Sequence, residues 1–247
     1  MTLQAFFTEN KRVALGFSGG VDSSYLLYAG LNYGADIRPY CIKTAFQPQF
    51  EYDDAMRLAH ELHVEVSVLE FDILPIQNVA ENPENRCYYC KTALFSALKE
   101  KAIADGYSVL IDGTNFSDDA DDRPGMRALS ELKVRSPLRE CGITKAEVRR
   151  LSKEAGLFTW NKPAYACLAT RIPTGDMITA NQLKCVEGAE DALFALGYTD
   201  FRVRVFHGAA RLQFNKEQML KAANEAATII ESIKPFFGAV LLDLAGR

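Results

Sequence analysis

The sequence predicts an α/β protein: a parallel sheet with helices on both faces, followed by a smaller α+β unit. Three observations carry this. Over residues 13–157, short apolar runs alternate with stretches that repeat apolar residues every three or four positions, the pattern of strands joined by crossover helices. A glycine-rich turn joins the first of these strands to the first long helix. After Trp160 the rhythm changes, and two strand patterns flank a His207-Gly208 turn.

The elements follow in order. Val13–Phe17 is an apolar run, and the helix from Ser23 to about Tyr33 stops at Gly34. Ile37–Lys43 is a second strand. Glu51–His63 carries Ala55, Leu58, Ala59 and Leu62 at helical spacing, and Val64–Phe71 is a third strand. Leu94, Ala97, Leu98 and Ala102 mark a helix over Tyr88–Ala104, and Ser108–Ile111 is a fourth strand ending in Asp112-Gly113-Thr114-Asn115. Thr144-Lys145-Ala146-Glu147 is a capping box that opens a helix to about Gly156. Residues 161–175, with Pro163, Pro173 and Gly175, form a loop. A helix (Thr179–Leu196), strands (Phe201–Phe206 and Arg211–Phe214), a helix (Lys216–Ile233) and a last strand (Ala239–Leu244) complete the chain. The expected domains are 1–165 and 176–247, with the boundary near 165–176.

Composition narrows the class. Of 247 residues, 48% are hydrophobic and 24% charged, enough for a proper core. The net charge of −4 disfavours a bulk DNA or RNA binder but allows a small anion in a local basic pocket. Glu9, Lys11 and Arg12 interrupt the N-terminal segment, which does not read as a signal peptide, and no apolar run is long enough to span a bilayer. Six cysteines are too few for a disulfide scaffold. A cytoplasmic protein is expected, in which clustered cysteines point to metal or sulfur chemistry.

Phe17-Ser18-Gly19-Gly20-Val21-Asp22-Ser23-Ser24 lies between a predicted strand and a predicted helix. Paired glycines let the backbone approach a ligand, serine hydroxyls donate, and the helix N-terminus presents unpaired N–H groups to an anion. The Gly-Lys-Ser/Thr of a Walker loop and the GxGxxG of a dinucleotide fold are both absent. A plain serine-capped turn is the alternative. The segment resembles the PP-loop, S-G-G-x-D-S, of enzymes that split ATP into AMP and pyrophosphate, which implies an adenine nucleotide alpha hydrolase-like domain. The resemblance implies that Ser18, Gly19, Gly20, Asp22 and Ser23 hold the pyrophosphate end of ATP, with Asp22 near Mg²⁺. Gly113 and Thr114, at the end of a strand, fall on the same carboxyl edge of the sheet and are expected at the ATP site.

Cys87 and Cys90 form a CxxC at a helix start, and Cys167 lies far along the chain in Ala164-Tyr165-Ala166-Cys167-Leu168. CxxC with a remote cysteine can give three thiolates to an iron–sulfur cluster. Zinc would need a fourth ligand, and no histidine neighbours either segment; two unremarkable thiols remain the other reading. His60 and His63 suit a solvated helix face, Cys41 suits the core, and Cys141 and Cys185 have no motif. Arg202 and Arg204 alternate with Val203 and Val205, so both guanidiniums share one strand face. They suggest an anion between them, or else a solvated edge strand. The acidic run 118–122 suits a hydrated loop better than a metal site.

Together, SGGVDSS at 18–24, NRCYYCK at 85–91, DGTN at 112–115, DDRPGMRAL at 121–129, VRSPLRECGITKAEVRRLSKEAGL at 134–157, TWNKPAYACLATRIPTG at 159–175 and FRVRVFHGAARL at 201–212 resemble the LarE family. These are ATP-dependent sulfur transferases of nickel-pincer nucleotide cofactor assembly. The resemblance implies adenylation of a carboxylate of pyridinium-3,5-biscarboxylic acid mononucleotide, then displacement of AMP by sulfur. In single-cysteine members the thiol equivalent to Cys167 donates its own sulfur once and becomes dehydroalanine. Because Cys87 and Cys90 are also present, this chain resembles the subgroup proposed to carry a 4Fe-4S cluster on three cysteines, whose open iron holds a transferable sulfide. The resemblance also implies that Arg202 and Arg204 hold the substrate phosphate, that Glu190 lines the sulfur-transfer site, and that the chain assembles into homo-oligomers. Rivals are a PP-loop tRNA thiolase, an ammonia-using ligase of the NAD synthetase kind and a non-enzymatic ATP or redox sensor.

Overall fold

The computed structural model describes residues 1–118 and 124–247. In chain order the helices and strands are α1 (Leu3–Glu9), β1 (Arg12–Gly16), α2 (Val21–Asn32), β2 (Asp36–Lys43), α3 (Gln49–Glu61), β3 (Ser67–Glu70), α4 (Gln77–Ala80), α5 (Arg86–Ala104) and β4 (Val109–Ile111). There follow α6 (Pro124–Glu131), α7 (Pro137–Glu140), α8 (Lys145–Glu154), α9 (Ala180–Ala195), β5 (Arg202–Phe206), β6 (Ala209–Gln213), α10 (Lys216–Asn224), α11 (Ala226–Ile233) and β7 (Val240–Leu242).

Contacts divide the chain into two compact units. The first, Met1–Ile73 with Asn85–Ala164, holds a four-stranded parallel sheet in the order β3-β2-β1-β4. Alternation along each strand feeds two cores. Val13 and Leu15 of β1 and Ile37 of β2 pack with Phe6, Leu26 and Val148 on one face. Ala14 of β1 and Tyr40 of β2 pack with Leu98 and Leu129 on the other. The chain steps outward from β1 through β2 to β3 and then returns to place β4 on the other side of β1. The loops leaving β1 and β4 therefore meet at the carboxyl edge, the switch point where such sheets take ligands. The third strand is shorter than the run Val64–Phe71 predicts, and α1 was not anticipated.

The second unit is Leu74–Glu84 with Tyr165–Arg247. A linear boundary near 165–176 leaves 74–84 in the first unit, whereas its contacts lie with the second. Asn82 is buried and left-handed, and its side chain donates to the Pro173 carbonyl at 2.7 Å while its own carbonyl accepts from Gly175 N. Ile178 N donates to the Ala80 carbonyl at 2.7 Å. In this unit β5 and β6 form the expected antiparallel hairpin, and β7 adds to β6 in parallel. The expected helix Lys216–Ile233 is two helices divided at Glu225, where the backbone leaves helical geometry at φ −96° and ψ 17°. One 3₁₀ turn, Phe158–Asn161, leads into the loop over 161–175, and a second, Leu168–Arg171, lies within it. Among the described residues no helix is long and apolar enough to cross a membrane.

Candidate functional site

In the first unit, the loop between β1 and α2 closes on itself through serines. Ser18 Oγ and Ser23 Oγ lie 3.2 Å apart, Ser23 Oγ donates to the Gly20 carbonyl at 3.2 Å, and Gly20 N reaches Ser18 Oγ at 3.4 Å. Gly19 has φ +72°, and a Cβ there would sit 2.7 Å from Ala55 Cβ on α3. A side chain is excluded both by conformation and by space. Gly113 plays the matching part after β4: a Cβ there would lie 2.8 Å from Ser23 N. The structure thus brings Ser18, Gly19, Gly20, Asp22, Ser23 and Gly113 to one place. Thr114 is buried beside them and donates to Asp112, which also accepts from Ser136 Oγ at 2.6 Å.

Lys145 enters this site unannounced by any phosphate-loop motif. It belongs to the predicted capping box of α8, where Thr144 and Glu147 cap reciprocally. Its ammonium is ion-paired with Asp22 Oδ2, while Asn115 Nδ2 donates to Asp22 Oδ1 at 3.3 Å. A local helix-start signal said nothing of a target 123 residues away. The loop that lacks a Walker lysine therefore has a lysine from another helix. Burial pushes the Asp22 carboxyl above its ordinary value, although Lys145 pulls the other way. One half-buried carboxylate suits Mg²⁺ when phosphates supply further oxygens.

A carboxyl raised in the folded state costs stability once it is ionised, and the cost disappears as pH falls to the range where the unfolded group is protonated too. Asp22→Asn is therefore expected to raise the melting temperature of the ligand-free protein at pH 7. The gain should shrink as pH is lowered through the ordinary carboxylate range. Calorimetry at both pH values checks this, and a melting temperature lowered at pH 7 would mean that the Lys145 pair outweighs burial.

Cys87 and Cys90 lie on the first turns of α5, Cys87 exposed and Cys90 half-buried. Cys167 is half-buried in the second unit, at the entry to the 3₁₀ turn Leu168–Arg171. None is in a disulfide. Within each unit, among the described residues, no group of three or more His, Cys, Asp or Glu side chains gathers as a metal site. Cys87 and Cys90, one turn apart on α5, are soft thiol donors of the kind that suits iron and sulfide. Cys41 is buried in β2. Of the acidic run 118–122, only Asp118 is among the described residues; it accepts from Asn115 N at 3.1 Å.

Glu190 is 1% exposed on α9 and does not stand at an open site. Arg171, also 1% exposed, meets it with Nε at 2.9 Å and Nη2 at 3.3 Å; Val203 N donates at 3.0 Å, and Tyr165 Oη donates as well. Burial pushes the Glu190 carboxyl up, against the Val203 amide and Arg202, and pulls the Arg171 guanidinium down, with Arg202 and Arg204 adding to the effect. Arg171 Nη1 in turn donates to the Ala166 carbonyl at 2.9 Å and to Thr170 Oγ1 at 2.8 Å, while the Cys167 carbonyl accepts from Thr170 N and Oγ1. Glu190 thus fixes the backbone that carries Cys167 through Arg171.

Arg202 and Arg204 share one face of β5, as alternation predicts, but their surroundings differ. Arg202 is 5% exposed with its guanidinium 4.8 Å over the Tyr165 ring. Arg204 donates from Nε to Gln213 and from Nη1 to the Thr170 carbonyl, both at 2.6 Å, and lines a cavity of about 710 Å³ inside the second unit. Arg171 lines it too.

A parallel sheet with a serine–glycine phosphate loop and a carboxylate at its switch point defines an α/β protein of the PP-loop ATP-using class. No family model matches the chain. Pyridinium-3,5-bisthiocarboxylic acid mononucleotide synthase of Lactiplantibacillus plantarum is 35% identical over 214 residues, covering 86% of this chain and 78% of its own. The chain belongs to the family of that synthase, the LarE family. An uncharacterised protein of Synechocystis sp. is 38% identical over 99% of this chain and 92% of its own. The tRNA-specific 2-thiouridylase MnmA of Clostridium perfringens is a more distant relative, 28% identical over 62% of this chain and 53% of its own length.

Proposed function

We propose that this chain is an ATP-dependent sulfur transferase of nickel-pincer nucleotide assembly. It converts a carboxylate of pyridinium-3,5-biscarboxylic acid mononucleotide to a thiocarboxylate. The observation that carries this reading is a PP-loop cradle and a backbone-clamped Cys167 in one chain, 35% identical to a bisthiocarboxylic acid mononucleotide synthase.

A carboxylate resists nucleophiles, so activation comes first. The substrate carboxylate attacks the α-phosphorus of ATP, an acyl-adenylate forms and pyrophosphate leaves. The loop Ser18–Ser23, with Gly113 and Thr114 alongside, receives the pyrophosphate on backbone N–H groups and hydroxyls. Asp22 would hold Mg²⁺, and Lys145 is placed to neutralise phosphate charge once it is released from Asp22. A sulfur nucleophile then adds at the acyl carbon and AMP leaves. Arg204, with Arg202 behind it, holds the substrate phosphate.

Cys87, Cys90 and Cys167 would hold a 4Fe-4S cluster, which supplies, when bound, an iron position able to carry sulfide. Glu190 is a positioning residue for the Cys167 segment. The test is protein purified without oxygen and assayed for iron and acid-labile sulfide. About four of each per chain is expected for one cluster, with both lost in Cys87→Ala. Neither element after reconstitution, with product still formed once per chain, would instead make Cys167 the sacrificial donor.

A further inference from the structure

The cavity in the second unit is more cationic than the Arg202–Arg204 pair suggests. Three of its lining side chains are arginines, Arg171, Arg204 and Arg211, against one carboxylate, Asp176; Phe206 and Phe236 add aromatic wall. Arg202 is not among the lining residues. Arg211 lies directly across the hairpin from Arg204, in register on the same sheet face. Two guanidiniums set opposite each other repel unless an anion lies between them. Burial, then Arg211, then Arg202 depress the Arg204 guanidinium below its ordinary value.

Arg211 also has hydrogen-bonding capacity in reserve. Its Nε is buried, and among the described residues no hydrogen bond reaches it. The nearest carboxylate oxygen, Asp243 Oδ2, stands 3.6 Å away, too far for a hydrogen bond. That oxygen accepts instead from Gln213 Nε2 at 2.8 Å, and Gln213 in turn accepts from Arg204. Arg204 is therefore braced from behind, while Arg211 is left with a buried donor that an incoming anion can satisfy. A cavity of about 710 Å³ lies within the usual range for sites that take a small organic ligand.

We propose that Arg211 is a further phosphate-binding residue of this cavity, gripping with Arg204, from the neighbouring strand, the phosphate of a phosphorylated heteroaromatic ligand. This rests on the reading above that the mononucleotide's phosphate is held at Arg204. The role differs from that of Arg202, which backs the site from beneath Tyr165.

The test titrates the whole chain with the mononucleotide and with its dephosphorylated nucleoside, by calorimetry, in wild type, Arg211→Gln, Arg211→Lys and Arg204→Gln. The wild type is expected to prefer the phosphorylated form. Arg211→Gln is expected to cut that preference roughly ten-fold, the weight of one charge-assisted hydrogen bond, while nucleoside affinity stays put. Arg211→Lys should fall between, because a point charge replaces a two-pronged donor. An unchanged preference in Arg211→Gln overturns the proposal. Should that variant not fold, a full wild-type preference in folded Arg211→Lys overturns it as well. The underlying reading fails separately, and takes this proposal with it, if the wild type does not distinguish the two ligands or if Arg204→Gln leaves the preference intact.

Discussion

Glu190→Ala is expected to destabilise the second unit by about 3–5 kcal/mol, a fall in melting temperature of roughly 6–20 °C. The substitution removes the carboxylate that, among the described residues, pairs a guanidinium 1% exposed, and it also strips the acceptor from Val203 N and Tyr165 Oη. A buried charge left without its partner costs far more than the pair contributes when intact. The double variant Glu190→Leu with Arg171→Met replaces both charges with apolar volume, so it should recover most of the lost stability. Catalysis should not recover with it, because Arg171 no longer holds the carbonyl of Ala166 or the Thr170 hydroxyl that shape the Cys167 turn. That split between melting temperature and turnover is the signature of positioning. A Glu190→Ala protein that melts with the wild type would show that the pair carries little, and full activity in the double variant would end its positioning role.

Cys167→Ser is expected to lower thiocarboxylate formation by on the order of 10³ or more, while pyrophosphate release with the mononucleotide continues. Serine keeps the shape of the residue and the backbone carbonyl that Thr170 N and Oγ1 reach, so the turn should stay formed. In the proposed reaction adenylation uses the loop at residues 18–23 and needs no sulfur, which is why the first half-reaction should survive. Both sulfur routes need this thiol, as cluster ligand or as donor, so Cys167→Ser alone does not separate them. Cys87→Ala does: it should abolish repeated turnover on the cluster route and leave a single sacrificial turnover untouched. Mass spectrometry of Cys167 after reaction adds a direct reading, since sacrificial donation leaves dehydroalanine. Product formation at the wild-type rate by Cys167→Ser would remove this cysteine from the chemistry altogether.

The alternation of strand and helix was legible because each element buries one face, and burial imposes a period of two or of about 3.6. The capping box at Thr144 was legible for a similar reason, since its bonds are made within four residues. The single helix expected over Lys216–Ile233 shows the limit. Apolar spacing continues through Glu225, yet the helix divides at that residue, whose backbone departs from helical geometry. Glu190 shows the same limit at the site. Its position on a helix is local information, but its burial against Arg171, Tyr165 and the Val203 amide depends on two other segments, the 161–175 loop and β5.

What the sequence determined by itself was therefore whatever is written in near neighbours: the α/β rhythm, the serine–glycine loop after the first strand, the CxxC pair and the alternating arginines. Only the tertiary structure decided which distant groups meet. It set Lys145 against Asp22, assigned 74–84 to the second unit through Asn82, buried Arg202 under Tyr165, and brought Arg211 into register with Arg204. The physical reason is the reach of the forces involved. Propensity, capping and periodicity act over a few residues, whereas ion pairs and cross-strand contacts are chosen by packing, which compares positions far apart in the chain only once it has folded.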